Sequence, residues 1–426
     1  MSKNIKSVIT CDLDGKIETF SEGAQKLFGY PENEIVGKGR VSDFSSGEIV
    51  LGHVVNWLAE SVEKGKWEGE TVFLHKDGHE MPCKIKITPT KDKDGNHIGY
   101  CGVTSSLKNK NADDIRPKIN FSTKLFCWMV IMRLPFLTAT IVPILLGAAV
   151  ASRYVTIDWS YFALTMLGGF FLHIGTNTSN DYFDHTSGTD EANYNYMVPF
   201  SGGSRSIQMG LISAKGMLNL SIITFALSAL IGIPLIMKAG INILYLGFIG
   251  FLSGFFYTAP PFRFASRKGM GEILIGLNFG PLMVAGSYLV QTGGDMTQIY
   301  DAILAGIPIG LLVAAIVYVN QFPDHDGDKA TGKNNLVVVF GPEKARVGYV
   351  FLVIGSFISI IALTLTKPES FPMLSLISLI TSFYSIYTIK TLYKYYDNRL
   401  LQPANAGTIG LHFLTGLFFC AGIWLG

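Results

Sequence analysis

The sequence predicts a multidomain protein: an N-terminal α/β domain, then an all-α bundle of about nine transmembrane helices. Three observations lead there. The mean hydropathy is +0.34. Hydrophobic residues make up 49% and charged residues only 15%, too apolar for a water-soluble chain of 426 residues. Charge is also uneven: residues 1–120 are rich in Lys, Asp and Glu, and the rest confines charge to short segments.

The α/β part spans residues 8–105. Val8–Asp12 reads as a strand, Asp14-Gly15 as a hairpin turn, and Ile17–Phe20 as the returning strand. Ser21 is suited to cap a short helix bearing Ala24, Leu27 and Phe28. Three more strands follow at Gly69–His75, Glu80–Pro89 and His97–Ser105, divided by Lys76-Asp77-Gly78 and Asp94-Gly95. Residues 106–120 are polar and read as a linker. Phe121–Leu134 mixes aromatics with Lys124 and Arg133, suiting a membrane surface or the start of the first span.

The nine expected spans cover 128–151, 160–177, 217–237, 241–257, 272–291, 302–320, 347–366, 372–389 and 406–425. Met1–Thr10 has no long apolar run of the signal-peptide kind, so the N-terminal domain is expected in the cytoplasm. Inside segments then hold Arg205, Lys215, Arg263, Arg267, Lys268, Lys329, Lys333 and further cations, and outside segments only Arg153, Lys238 and Lys367. That asymmetry follows the positive-inside rule. The net charge of +2, without a basic tail, gives no reason to expect nucleic acid. The five cysteines are scattered and suggest neither a zinc site nor a disulfide framework.

Two polar clusters end apolar stretches on the same expected side. One holds Asn180, Asp181, Asp184 and Asp190; the other holds Asn320, Asp324 and Asp328. Carboxylates at a membrane edge are costly unless compensated. Positions i, i+4 and i+8 share a helix face, so Asn320, Asp324 and Asp328 are expected to point together, with Pro323 kinking or ending their helix. Gly188 is expected to break the first helix, so that Asp190 returns from a loop. Spaced carboxylates suit Mg²⁺, which in turn suits a diphosphate. The turn Gly202-Gly203-Ser204-Arg205 offers backbone N–H groups and a guanidinium to phosphate oxygens. The pattern points to an enzyme acting on a lipid diphosphate.

Both halves resemble known families. The N-terminal segment, through "DLDGKIETFSEGAQKLFGYPENEIVGK" and "WEGETVFLHKDGHEMPCKIKITPTKDKDGNHIGYCGVTSSL", resembles a PAS domain. Residues 125–426 resemble the UbiA-type intramembrane prenyltransferases. Within them, "NDYFDHTSGTD", "FYTAPPFRFASRKGMGEILIGLNFGPLMVAGSYLVQTG" and "DHDGDKATGKNNLVVVFG" are most similar to the 1,4-dihydroxy-2-naphthoate branch of menaquinone synthesis. The resemblance implies three regions: a sensor domain over 1–107, a juxtamembrane linker over 108–124 and the transferase over 125–426.

It further implies that Asn180, Asp181, Asp184, Asp190, Asn320, Asp324 and Asp328 hold Mg²⁺ on the diphosphate. Asp181, Asp184, Asp190, Asp324 and Asp328 are the metal candidates, with Arg205, Lys333, Arg263 and Lys268 neutralising the leaving group. Asp184, Asp324, Asp328, Arg205 and Lys333 form the expected catalytic set. An aromatic ring would attack the allylic cation, the polyprenyl tail would lie along lipid-facing helices, and the sensor domain would offer a route to dimers, its ligand unidentified. Two departures bear on the acceptor. The branch usually has Arg where Pro323 stands, and its loop after Asp190 usually contains Asp-Arg and Gly-Pro where this chain reads "YMVPFSGGSR".

Other readings stay open. Tyr257 suits either the diphosphate pocket or the interfacial aromatic belt, and Asn278 either substrate or a cross-helix hydrogen bond. His53 lies on an expected helix and offers a haem ligand only as a lone candidate, while His173 and His412 read as helix-packing groups. Among functions, the alternatives are another quinone or phenazine-type acceptor, a lipid alcohol, or a membrane lipid sensor without catalysis. A transporter would call for an internal repeat with broken mid-membrane helices, whereas the charges here sit at span ends.

Overall fold

The computed structural model describes residues 6–197 and 200–426; the remaining seven, including Val198 and Pro199 of the loop after Asp190, lie outside the described residues. Two compact units result. One comprises Met1–Ile131 together with Arg205–Ser213, the other Met132–Ser204 together with Ala214–Gly426.

The first unit is built on a five-stranded antiparallel sheet in the order β2-β1-β5-β4-β3. The strands are β1 (Lys6–Asp12), β2 (Ile17–Phe20), β3 (Trp67–Leu74), β4 (Glu80–Lys91) and β5 (His97–Ser106). All five expected strands are present. The Ser21 hydroxyl accepts from Ala24 N–H at 3.2 Å and caps the helix Glu22–Phe28, as its residue type predicts. Aromatics fill the space beside the sheet: Phe28 stacks on Phe44 at 4.3 Å and meets Phe73 edge-on at 5.7 Å. Burial pushes the Cys11 and Cys83 thiols up to about 12, so both stay protonated packing groups. His53 stacks on Trp57 at 5.9 Å, and its Nε2 lies 3.2 Å from Lys118 O.

The second unit is helical. Among the described residues, seven of its helices are long and apolar enough to cross a membrane: Leu134–Ala151, Ala214–Ala239, Met270–Gln291, Ile299–Ala330, Pro342–Thr366, Met373–Tyr395 and Arg399–Leu425. The other two expected spans are helical but differ in kind. Trp159–Thr186 is long but carries a run of polar residues, and Ile241–Phe255 is apolar but only 15 residues.

The helix expected to stop or kink near Pro323 instead runs from Ile299 through to Ala330. Proline removes one N–H and so frees the carbonyl four residues earlier, that of Val319. Asn405 Nδ2 donates to Val319 O at 3.2 Å and fills the gap.

Candidate active site

Asn180 and Asp184 stand in the last turns of the Trp159–Thr186 helix; Asn320, Asp324 and Asp328 stand on one face of the Ile299–Ala330 helix. All five line one cavity of about 180 Å³. Lys333 lines it too. Its Nζ lies 3.5 Å from Asp184 Oδ2 and 3.6 Å from Asp328 Oδ1, so one ammonium joins both acidic motifs. Burial alone would lower the Lys333 pKa, but the carboxylates of Asp184 and Asp328 outweigh it and hold the ammonium well above its ordinary value.

The Gly-rich turn closes over the carboxylates. Gly202 N–H donates to Asp324 Oδ2 at 3.1 Å, and Ser204 N–H lies 3.3 Å from both Asp181 oxygens. Gly203 has φ +71, and a Cβ there would sit 2.9 Å from Asp181 Oδ1 and 3.4 Å from Asp190 Oδ1. Only glycine allows the backbone so close. Gly188, at φ +74, ends the preceding helix as expected, and the short turn Thr189–Ala192 returns Asp190 to the cluster. Asp181 and Asp190 thus back the site rather than line the cavity.

Several contributors escaped the sequence reading. Arg133, with φ +53, lines the cavity, stands 3.6 Å from Asp181 Oδ1 and lies over the Phe136 ring. Asn193 Nδ2 donates to Asp324 Oδ1 at 2.5 Å; Gly327 clears room for it, since a Cβ there would fall 2.7 Å from Asn193. Asn335 Nδ2 donates to Asp328 Oδ2 at 2.7 Å. Buried Glu272 accepts from Gln321 Nε2 and Leu336 N–H, both at 2.9 Å, anchoring the turn after Lys333. Asn180 Oδ1 accepts from Thr258, and Asn320 Oδ1 from Asn405.

Not every expected residue joins them. Tyr257 lines the cavity, whereas Arg263 and Lys268 are absent from its wall; Lys268 is exposed. Arg205 belongs to the first unit, where its charge acts on Asp43. Asn278 holds Ser253 and Leu274 O at 3.0 and 2.7 Å, the cross-helix reading, and lines a second cavity. That cavity, about 570 Å³, is lined mainly by apolar side chains including Leu172, Phe225 and Phe251. His173, Tyr257, Ile275 and Phe279 line both cavities, so the polar and apolar chambers share a wall. His173 is itself fixed by Thr140 at 2.8 Å.

The donor set fits a hard cation. Three carboxylates and several side-chain amides, Asn180 and Asn320 among them, face one small space and offer the oxygen ligands that Mg²⁺ prefers.

A UbiA prenyltransferase family model matches residues 140–417, and a PAS domain model matches residues 6–105. The 1,4-dihydroxy-2-naphthoate octaprenyltransferase of Bacillus subtilis (strain 168) is 30% identical over 209 residues, 49% of this chain and 64% of that relative. This chain therefore matches just under two thirds of that enzyme's length. The enzyme of the same name from Escherichia coli (strain K12) is 28% identical over 306 residues, 70% of this chain and 95% of the relative. Among solved structures, the apo structure of a UbiA homolog from Aeropyrum pernix K1 gives a TM-score of 0.52 at 14% identity, covering 67% of this chain and 97% of that one. At that identity the likeness concerns the fold.

Proposed function

Because the chain belongs to the UbiA prenyltransferase family and carries an N-terminal PAS domain, we propose that it moves a polyprenyl group from its diphosphate to 1,4-dihydroxy-2-naphthoate. The reaction would be Mg²⁺-dependent and serve menaquinone synthesis. Family and apolar helices together make it an integral membrane prenyltransferase. The cytoplasmic membrane, with the PAS domain and acidic motifs inside, is the placement that the loop charges favour.

One observation carries the reading: the acidic cavity shares His173, Tyr257, Ile275 and Phe279 with the larger apolar one. A prenyl diphosphate has that same division into a charged head and an apolar tail. Asp184, Asp324 and Asp328, with Asn180 and Asn320, would hold Mg²⁺, and Asp181 and Asp190 would support them from behind. When bound, the cation neutralises diphosphate oxygens and makes the group a better leaving group. Lys333 and Arg133 supply further positive charge at the cavity wall. Tyr257 and Phe279 mark the junction where the allylic carbon would lie, shielded from water. The naphthoate is the acceptor named for both relatives.

Regulation by the PAS domain is part of the proposal. Gly202 and Ser204 hold carboxylates of the second unit. The next residues, Arg205–Ser213, belong to the first unit, where Gly47 N–H donates to Met209 O at 2.8 Å. One short stretch of chain therefore serves both.

The test is transfer by purified protein supplied with Mg²⁺, geranylgeranyl diphosphate and 1,4-dihydroxy-2-naphthoate, with an EDTA control and mass-spectrometric detection. A Mg²⁺-dependent, decarboxylated prenyl naphthoquinol is expected. Diphosphate consumed only with other acceptors would overturn the acceptor; no consumption with any acceptor would overturn the enzyme reading.

A further inference from the structure

The turn joining β3 to β4 reads His75-Lys76-Asp77-Gly78-His79. It is a tight hairpin: His75 N–H donates to His79 O at 3.0 Å, Gly78 N–H donates to His75 O at 2.8 Å, and Gly78 has φ +89. Alternate side chains of the turn gather on one point. His75 Nδ1 lies 3.0 Å from Asp77 Oδ1, and His79 Nδ1 lies 2.5 Å from the same oxygen. The two imidazoles stack with centroids 4.6 Å apart. The three potential ligand atoms all fall within 4.8 Å of one another.

The surrounding residues fix this arrangement. The Nε2 edge of His75 packs over Gly29, the left-handed C-cap of Glu22–Phe28, where a Cβ would come within 2.3 Å of that nitrogen. Nε2 is therefore turned to the protein and Nδ1 to the cluster. Lys76 N–H donates to Phe28 O at 2.9 Å, tying the turn to the same helix end. The Lys76 ammonium is drawn off to Glu34 at 2.5 Å and the Tyr30 ring, so it leaves the cluster to its own ligands. His79 N–H donates to Asp77 Oδ1 at 3.1 Å, and Asp77 N–H makes a long 3.4 Å contact to His75 Nδ1. Two ring nitrogens aimed at one carboxylate oxygen need hydrogen between them, or a cation where their lone pairs face inward.

We propose that His75, Asp77 and His79 bind one divalent transition-metal ion of the Zn²⁺ class, with water completing the coordination. Two imidazoles and a carboxylate form a borderline donor set that suits Zn²⁺ and disfavours Mg²⁺, which prefers oxygen ligands. Zn–N and Zn–O bonds of about 2.0–2.2 Å separate tetrahedral ligands by roughly 3.3 Å. The present spacings of 3.0 and 2.5 Å need widen by less than 1 Å, a shift that the exposed Asp77 and His79 side chains can make around the more buried His75. The ion would staple the β3–β4 turn. The inference is independent of the transferase reading, since no residue is shared.

Zinc binding to the full-length protein in detergent tests it, measured by equilibrium dialysis with millimolar Mg²⁺ present to fill oxygen-only sites. Wild type, His79→Gln, His75→Gln and the Asp184→Ala/Asp324→Ala double variant are compared, with Co²⁺ absorption reporting nitrogen ligation. One Zn²⁺ per chain is expected in wild type and in the double variant. Either histidine variant should weaken it at least by the roughly 10–100-fold that loss of even a supporting partner costs. Circular dichroism confirms that the exposed His79→Gln change leaves the fold intact. Equal Zn²⁺ affinity in wild type and both histidine variants would overturn the proposal, as would loss of binding in the double variant alone.

Discussion

Lys333 Nζ stands 3.5 Å from Asp184 Oδ2 and 3.6 Å from Asp328 Oδ1, joining residues far apart in the chain through a side chain only 17% exposed. Removing it leaves two carboxylates facing each other with their compensating charge gone. Lys333→Ala should lower kcat by about 100-fold or more, the scale of losing one charge-stabilising donor. A steady-state assay at saturating prenyl diphosphate measures this. The pH dependence has a definite sign. With its folded pKa raised, Lys333 contributes stability that is fully present below the unfolded value of about 10.4 and lost only as pH rises through the folded value. Between pH 7 and 9, a melting-temperature series on wild type should therefore show no loss that Lys333→Met removes.

Asp184→Ala and Asp324→Ala probe the cation-holding role directly. Each removes a carboxylate from the cavity wall without opening the helix core. Both should abolish Mg²⁺-dependent transfer in a protein that still folds, with Asp324→Ala costing about 1–3 kcal/mol because Gly202 N–H loses its acceptor. Activity near wild type in both would remove the basis for a diphosphate held through Mg²⁺.

Much of this site was legible because its chemistry repeats at helical spacing. Asn320, Asp324 and Asp328 recur every fourth residue, and Gly188 marks where Asp190 must turn back. Arg133 was not legible: it lies far from either motif and enters the wall only through a left-handed backbone turn after Phe121–Ile131. Glu272 and Asn335 are single polar residues whose role depends on which helix packs beside them. Arg205 follows the Gly-rich turn directly in sequence, yet the chain enters the first unit at this residue, a boundary that sequence adjacency does not reveal. The strands of the first unit were the easiest part, since period-two alternation and Asp-Gly turns are local signals.

The continuity of the helix at Pro323 rests on Asn405. Its Nδ2 serves both Val319 O at 3.2 Å and Asn320 Oδ1 at 2.8 Å. Asn405→Leu should destabilise the protein by about 1–3 kcal/mol, the usual cost of an unsatisfied buried polar group. Pro323→Ala restores an N–H for Val319 O. In a double-mutant cycle read by thermal melting, Asn405→Leu should therefore cost less in the Pro323→Ala background. Equal cost in both backgrounds would mean that Asn405 does not compensate the proline.

A second polar cluster predicts stability without activity. Buried Asp301 accepts from Lys367 Nζ at 2.6 Å and from Tyr154 OH at 3.1 Å, and also bonds Ser370. None of these residues lines the acidic cavity. Lys367 is 41% exposed and Tyr154 42%, so both can return to water and the loss falls on the buried Ser370 hydroxyl. Asp301→Ala should lower the melting temperature, with a cost of about 1–3 kcal/mol. Its kcat, measured well below that temperature, should match wild type.

The proposed regulation of transfer by the PAS domain can be tested at Gly47. A Cβ at this position would fall 2.7 Å from Leu211 Cδ2 and 2.8 Å from Met209 O, so any larger residue must displace Arg205–Ser213. That stretch continues directly from Ser204, whose N–H meets Asp181, and Gly202, whose N–H meets Asp324. Gly47→Val should thus change transfer by severalfold although Gly47 lines neither cavity. Gly65→Ala gives the control: it alters the same unit at a glycine with nothing within 4 Å of its Cβ position. If the two variants melt alike and only Gly47→Val changes kcat, the effect travels along the chain through residues 205–213. If both leave kcat unchanged while Gly47→Val demonstrably exposes Leu211, the stretch packs against the first unit without governing the carboxylates, and the PAS domain must act elsewhere or not at all.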